Sequence, residues 1–158
     1  MSLGSAIRAS TLGVTAAMTT LLAPGASLAA DSANASAALA KKAGCGTAKP
    51  GNAQGIARWL ESCGTVNTKT GPEAAARSAI AARAAQLGLR ADGHDLELLK
   101  ADETEKVTYV RFQQTHNGVP VFTGQVVVQY DRAGNVELIN NHTLPNLAVE
   151  TTPAVDAA

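Results

Sequence analysis

Aromatic side chains are scarce in this chain: two Phe, two Tyr and one Trp among 158 residues. So few rings exclude a stacking platform for single-stranded nucleic acid. Charge of either sign is not in excess. Thirteen basic residues balance thirteen acidic ones, so no net field draws the chain to a phosphate backbone or an anionic membrane. Cysteine occurs twice, too few for a disulfide-rich scaffold and only half of a structural zinc site. No apolar run approaches the ~20 residues that span a bilayer as a helix. Hydrophobic residues make up 46%, but alanine supplies much of that. The large side chains suffice for one domain of roughly 75 residues, a size that is marginally stable alone.

Catalytic signatures are missing as well. The chain holds no H-E-x-x-H, G-x-S-x-G, G-x-G-x-x-G or G-x-x-x-x-G-K-[ST]. His94, His116 and His142 stand singly in turns or at strand ends, without the paired spacing of a metal site. Asp131 to Asn135 lacks the alternating acids of a calcium loop. The chain reads as non-catalytic, with no cofactor of its own.

What is present falls into four parts. Residues 1–29 have the features of a secretory signal peptide: Arg8, an apolar stretch from Thr11 to Leu22, a Pro24-Gly25 break, and small residues that place cleavage between Ala29 and Ala30. That predicts an exported, extracellular protein. Residues 30–69 read as a mobile Ala/Gly-rich segment with a short helix over 55–63, because Ile56, Trp59, Leu60 and Cys63 recur at helical spacing before Gly64. Cys45 and Cys63 are a candidate disulfide in an exported chain; free thiols, or half a metal site, remain alternatives. Asn34-Ala35-Ser36 and Asn141-His142-Thr143 match the glycan-acceptor triplet.

Residues 70–143 form the predicted domain. Thr70 and Glu73 have capping-box spacing. The helix that follows carries Ala76, Ile80, Ala84 and Leu87 on one stripe and stops at Gly88. Four strands come next: Leu96 to Leu99, then Lys106 to Thr115 after an acidic turn, then Val121 to Tyr130, then a run from Val136. Phe112, Val126, Val128 and Tyr130 are expected to face the helix, with Arg111, Gln113, Gln125 and Gln129 on the other face. Asn117-Gly118 predicts a type I′ hairpin turn. Pro120 suits a strand start, and Gly124 suggests a bulge or close backbone approach. Residues 144–158 read as a linker-like tail.

Several of these residues also carry a resemblance. Leu87-Gly88-Leu89, the strand Tyr109-Val110-Arg111-Phe112-Gln113-Gln114, the run Asn117-Gly118-Val119-Pro120-Val121-Phe122-Thr123-Gly124, and Gly134-Asn135-Val136 with Ile139-Asn140-Asn141 resemble the fungalysin/thermolysin propeptide domain over about residues 73–141. That domain is the N-terminal pro-region module of secreted zinc metallopeptidases. Thr123 and Asn141 stand where the family usually has glycine. The resemblance makes Leu87, Gly88, Arg111, Gln114, Asn117, Gly118, Pro120, Val121, Gly124 and Gly134 the motif residues. It implies a cystatin-like α+β fold, one helix on a four-stranded antiparallel meander, preceded by the short helix and signal peptide. It implies a prodomain that assists folding of a cognate metallopeptidase catalytic domain and inhibits it, here as a truncated or separate product. Zinc and calcium would belong to the peptidase domain. The alternatives are a stand-alone secreted binding module for another exported or envelope protein, and a small hydrolase in its own right.

Overall fold

The computed structural model describes residues 25–52 and 54–152. The expected signal peptide therefore lies mostly outside the described residues, as does the tail beyond residue 152. Ala29 and Ala30 fall within the first helix, α1 (Gly25–Ala43).

Six antiparallel strands make one sheet. They are β1 (Thr47–Pro50), β2 (Ala57–Glu61), β3 (Leu96–Glu103), β4 (Val107–His116), β5 (Val119–Asp131) and β6 (Val136–Asn141), in the order β1-β2-β6-β5-β4-β3. The last four form the expected meander. The sheet is nonetheless wider than the four strands predicted, because β1 and β2 add to the free edge of β6.

The helix expected over 55–63 is strand β2. Trp59 pairs with Asn140, Leu60 with Ile139 and Glu61 with Leu138. A short apolar run with helical spacing fits either element. Here the unpaired backbone of β6 decides, since a buried N–H or C=O must find a partner. Ala57 and Leu60 face the core while Trp59 and Glu61 stay partly exposed. Gly64 takes φ +75° in the turn that follows, not at a helix end. The segment expected to be mobile holds α1 and β1: alanine is the strongest helix former, and Ala40 and Ala43 are buried in the core.

The main helix is α2 (Pro72–Ala81), followed by the single turn α3 (Ala84–Leu87). Ala76, Ile80, Ala84 and Leu87 are all buried, and Gly88 ends α3 with φ +66°. The capping box does not form. Thr70 belongs to a 3-10 turn and donates its hydroxyl to the Asn67 carbonyl, while Gly71 is the N-cap without a side-chain bond. Pro72 at the first helical position has no N–H to satisfy. Glu73 instead pairs with Arg77 at 2.8 Å, one turn along. The Arg77 guanidinium stacks 4.8 Å from the Phe112 ring centroid. The small residues on α2 let it lie close over β3, β4 and β5, where Val110, Phe112, Val126, Val128, Tyr130 and Ile139 complete the core. The acidic turn is shorter than expected, because Asp102 and Glu103 remain in β3. Thr104 closes the reversal, its hydroxyl donating to Val107 O at 2.7 Å.

Cys45 and Cys63 are bonded, joining the end of α1 to the end of β2 across 18 residues. Arg83 reaches the same corner, donating to Ala79 O at 2.9 Å and to Cys63 O. Desolvation there lowers its pKa. The loop between the cysteines lies outside the meander, so the bond fixes the added strands. Replacing both cysteines with alanine should lower the unfolding free energy by about 2–4 kcal/mol, read from urea midpoints. It should leave the amides of β4 and β5 the last to exchange with solvent.

Candidate docking surface

Helices cover one face of the sheet. The other face is open, and its register rows run across all six strands. One row is Lys49, Trp59, Asn140, Val127, Arg111, Lys100, and its neighbour is Thr47, Glu61, Leu138, Gln129, Tyr109, Asp102. Arg111 is exposed on this face.

At the end of β4 and β5 the sheet narrows to two strands. Asn117 and Gly118 both take positive φ, +51° and +80°, as a type I′ turn requires. Pro120 pairs with Thr115 beyond the reach of β6, whose pairing with β5 starts only at Val126. Its missing N–H therefore costs no ladder bond.

The register then breaks. Thr115 faces Pro120 and Gln113 faces Gln125, so four residues of β5, Val121 to Gly124, stand against the single residue Gln114. This bulge is larger than the one suggested by Gly124 alone. Thr123 turns it at φ +60°, a region unfavourable to a β-branched residue. Gly124 fits because a Cβ there would lie 2.9 Å from Gln114 Oε1 and 3.0 Å from Val121 Cβ.

Gln113 holds the bulge, and Gln114 on the opposite face holds the tail. The Gln113 amide nitrogen donates to Val121 O (2.6 Å) and Gly124 O (2.9 Å). Gln114 is 5% exposed; it donates to Leu144 O at 2.8 Å and accepts from Leu144 N at 2.9 Å. The tail is tied further by His116 Nε2, 3.1 Å from Val149 O, and by Asn117 Nδ2 to Thr151 Oγ1 at 3.3 Å. The bulge presents Phe122 to solvent at 92% exposure, beside half-exposed Val119.

Residues 99–143 match the family model of the Fungalysin/Thermolysin Propeptide Motif. The motif is a propeptide module of thermolysin-like and fungalysin peptidases, not a catalytic one. It covers less than a third of the chain, so α2, Leu87 and Gly88 lie outside the match although the resemblance included them. No curated protein and no solved structure matches the chain.

Of the motif residues, Gln114, Asn117, Gly118, Pro120, Val121 and Gly124 come together at the bulged hairpin. Arg111 lies on the open face, and Gly134 lies in the turn at the far end of β5. There Asp131 Oδ1 accepts Asn135 N–H at 2.8 Å and Oδ2 accepts the Asn135 amide at 2.7 Å, and these bonds hold the carboxyl pKa low. Gly134 has φ +87°, and a Cβ there would sit 2.3 Å from Val66 O. Sequence reasoning missed Gln113 and Phe122 as a clamp and its load. The signal was two adjacent glutamines on one strand, since alternation must turn one of them inward.

Asn141 also has a role its sequence context concealed. It is 4% exposed, donates to Ala57 O and Leu87 O at 2.9 Å each, and accepts from Thr143 N and Oγ1. A glycine there would lose the two bonds that join β6 to β2 and α3, and the two from Thr143. The same burial closes the Asn141 triplet to glycosylation in the folded protein. Among the described residues no group of three or more His, Cys, Asp or Glu is arranged to hold a metal, and no helix is long and apolar enough to cross a membrane.

Two substitutions test this account. Gln114→Ala strips both partners from the Leu144 backbone and should cost about 1–3 kcal/mol, with faster exchange at the Leu144 amide. Gly134→Ala should cost at least about 2 kcal/mol through the Val66 clash and positive φ. Gly118→Ala meets nothing within 4 Å and should cost only about 1 kcal/mol for φ alone. Equal losses at the two glycines would show that the close approach at Val66 does not matter.

Proposed function

We propose that this protein is a non-catalytic prodomain of a secreted thermolysin-like zinc metallopeptidase, acting as folding assistant and inhibitor through the bulged hairpin. One observation carries the reading: within the matched propeptide motif, the residues gathered at the hairpin serve to hold an exposed phenylalanine rather than to assemble reactive groups. A rigid hairpin lowers the entropy lost on docking. A ring that enters a partner pocket is the kind of contact that dominates interface energetics. Zinc and calcium would reside in the peptidase. Export of the chain through the expected signal peptide fits this partner.

A stand-alone secreted binding module is the second reading. The disulfide-tied β1–β2 extension favours it, since it lies outside the matched motif and staples a small domain.

The test is inhibition of a thermolysin-like peptidase by the purified protein, followed through peptide hydrolysis. Dose-dependent inhibition that outlasts substrate competition is expected. Phe122→Ala should change stability by less than about 0.5 kcal/mol and weaken inhibition by about thirtyfold or more. Folded protein that leaves the peptidase fully active would sink the prodomain reading in favour of the binding module. Unchanged potency of Phe122→Ala would exclude the hairpin as the contact.

A further inference from the structure

At the edge of the open face farthest from β3, a cavity of ≈ 310 Å³ is lined by Lys49, Pro50, Arg58, Trp59, Asn140 and His142. Most of its polar groups are cations or donors. Lys49 Nζ lies 5.9 Å from the Trp59 ring centroid. Arg58 Nη2 lies 2.9 Å from His142 Nδ1. A guanidinium can only donate, so the imidazole accepts at that nitrogen, and the contact places no negative charge beside Arg58. Neither Lys49 nor Arg58 has a carboxylate partner among the described residues. Of the guanidinium's five N–H groups, one is bonded to a side chain among the described residues. The nearest acid in the sheet register, Glu61, accepts the Trp59 indole N–H at 2.6 Å. The Asn140 side-chain oxygen at its wall is buried without a donor among the described residues.

We propose that this pocket binds the carboxylate of an acidic side chain on a partner protein's peptide segment. The guanidinium offers the fork that matches a carboxylate, and Lys49 adds a second positive charge. The indole forms an apolar wall for the methylene groups that carry the acid. The volume lies at the lower limit of small-molecule sites, which fits one side chain better than an enclosed metabolite. The site is separate from the Phe122 hairpin and stands whether or not the prodomain reading holds.

Trp59 is the only tryptophan in the chain, so its fluorescence and its indole N–H resonance report on this pocket alone. The experiment titrates the purified protein with a blocked pentaglutamate peptide, with its pentaglutamine counterpart, and with free glutarate. The expected result is a saturable Trp59 change with pentaglutamate that weakens as salt rises, and none with pentaglutamine. Arg58→Gln and Lys49→Gln should each reduce the affinity about five- to tenfold, with far-ultraviolet circular dichroism unchanged. A Trp59 response to pentaglutamine equal to that of pentaglutamate would overturn the proposal, as would no response to pentaglutamate or unaltered affinity in both variants. Glutarate binding as tightly as the peptide would overturn the choice of a protein segment and assign the pocket to a small dicarboxylate.

Discussion

Four residues of one strand must be fitted against one residue of its neighbour, and the hairpin end of the molecule follows from that mismatch. Antiparallel pairing between β4 and β5 is regular from Val107 to Gln113 and again at Thr115 and His116. Between these stretches the backbone of Val121 to Gly124 loses its ladder partners. A polar main chain stripped of partners must find others, and Gln113 supplies two of its acceptors with a donor. Once the clamp is in place, the side chain at the crest has nowhere to go but outward. The exposure of Phe122 is thus a consequence of backbone accounting rather than a failure of burial.

The second dependency runs through Gln114 and Asn141. Both are buried amides that bond main-chain atoms of other parts of the fold. Between them they tie the tail, β2 and α3 to the central strands. Hydrophobic contact is non-directional and would allow the alanine-rich surfaces of α1 and α2 to slide. The amides fix position where alanine cannot. A core with so few large side chains therefore obtains its definition from buried amides bonded to the main chain.

Much of the meander was legible in the sequence. Asn117-Gly118 has one good turn conformation, and the alternation from Val126 to Tyr130 places its residues on the correct faces. The Ala76–Leu87 stripe and its glycine stop were legible for the same reason, since period and capping are local, but the single helix expected there is broken at Ala82 and Arg83 into α2 and α3. What could not be read there was set by partners distant in sequence. The run from Ile56 to Cys63 carries helical spacing, yet becomes a strand because β6 has a free edge some 80 residues later. Thr70 has the right spacing for a cap but is drawn into the preceding turn by Asn67. The bulge shows at Gly124, but its size depends on which β4 residue is skipped. Gln113 and Phe122 looked like ordinary strand residues, and Asn141 stood out only as a replaced glycine, because their roles exist only once register is known.

Phe122 touches so little of its own protein that it is free to vary. The glutamine clamp acts on main-chain carbonyls, not on the ring, and the core strands begin beyond it. An exchange of phenylalanine for leucine, tyrosine or tryptophan would alter the shape offered to a partner while the fold stays as it is. Under the proposed role, recognition and folding would fall to different atoms of the same four residues. A lineage could retune its partner through a single codon without first acquiring a compensating change elsewhere.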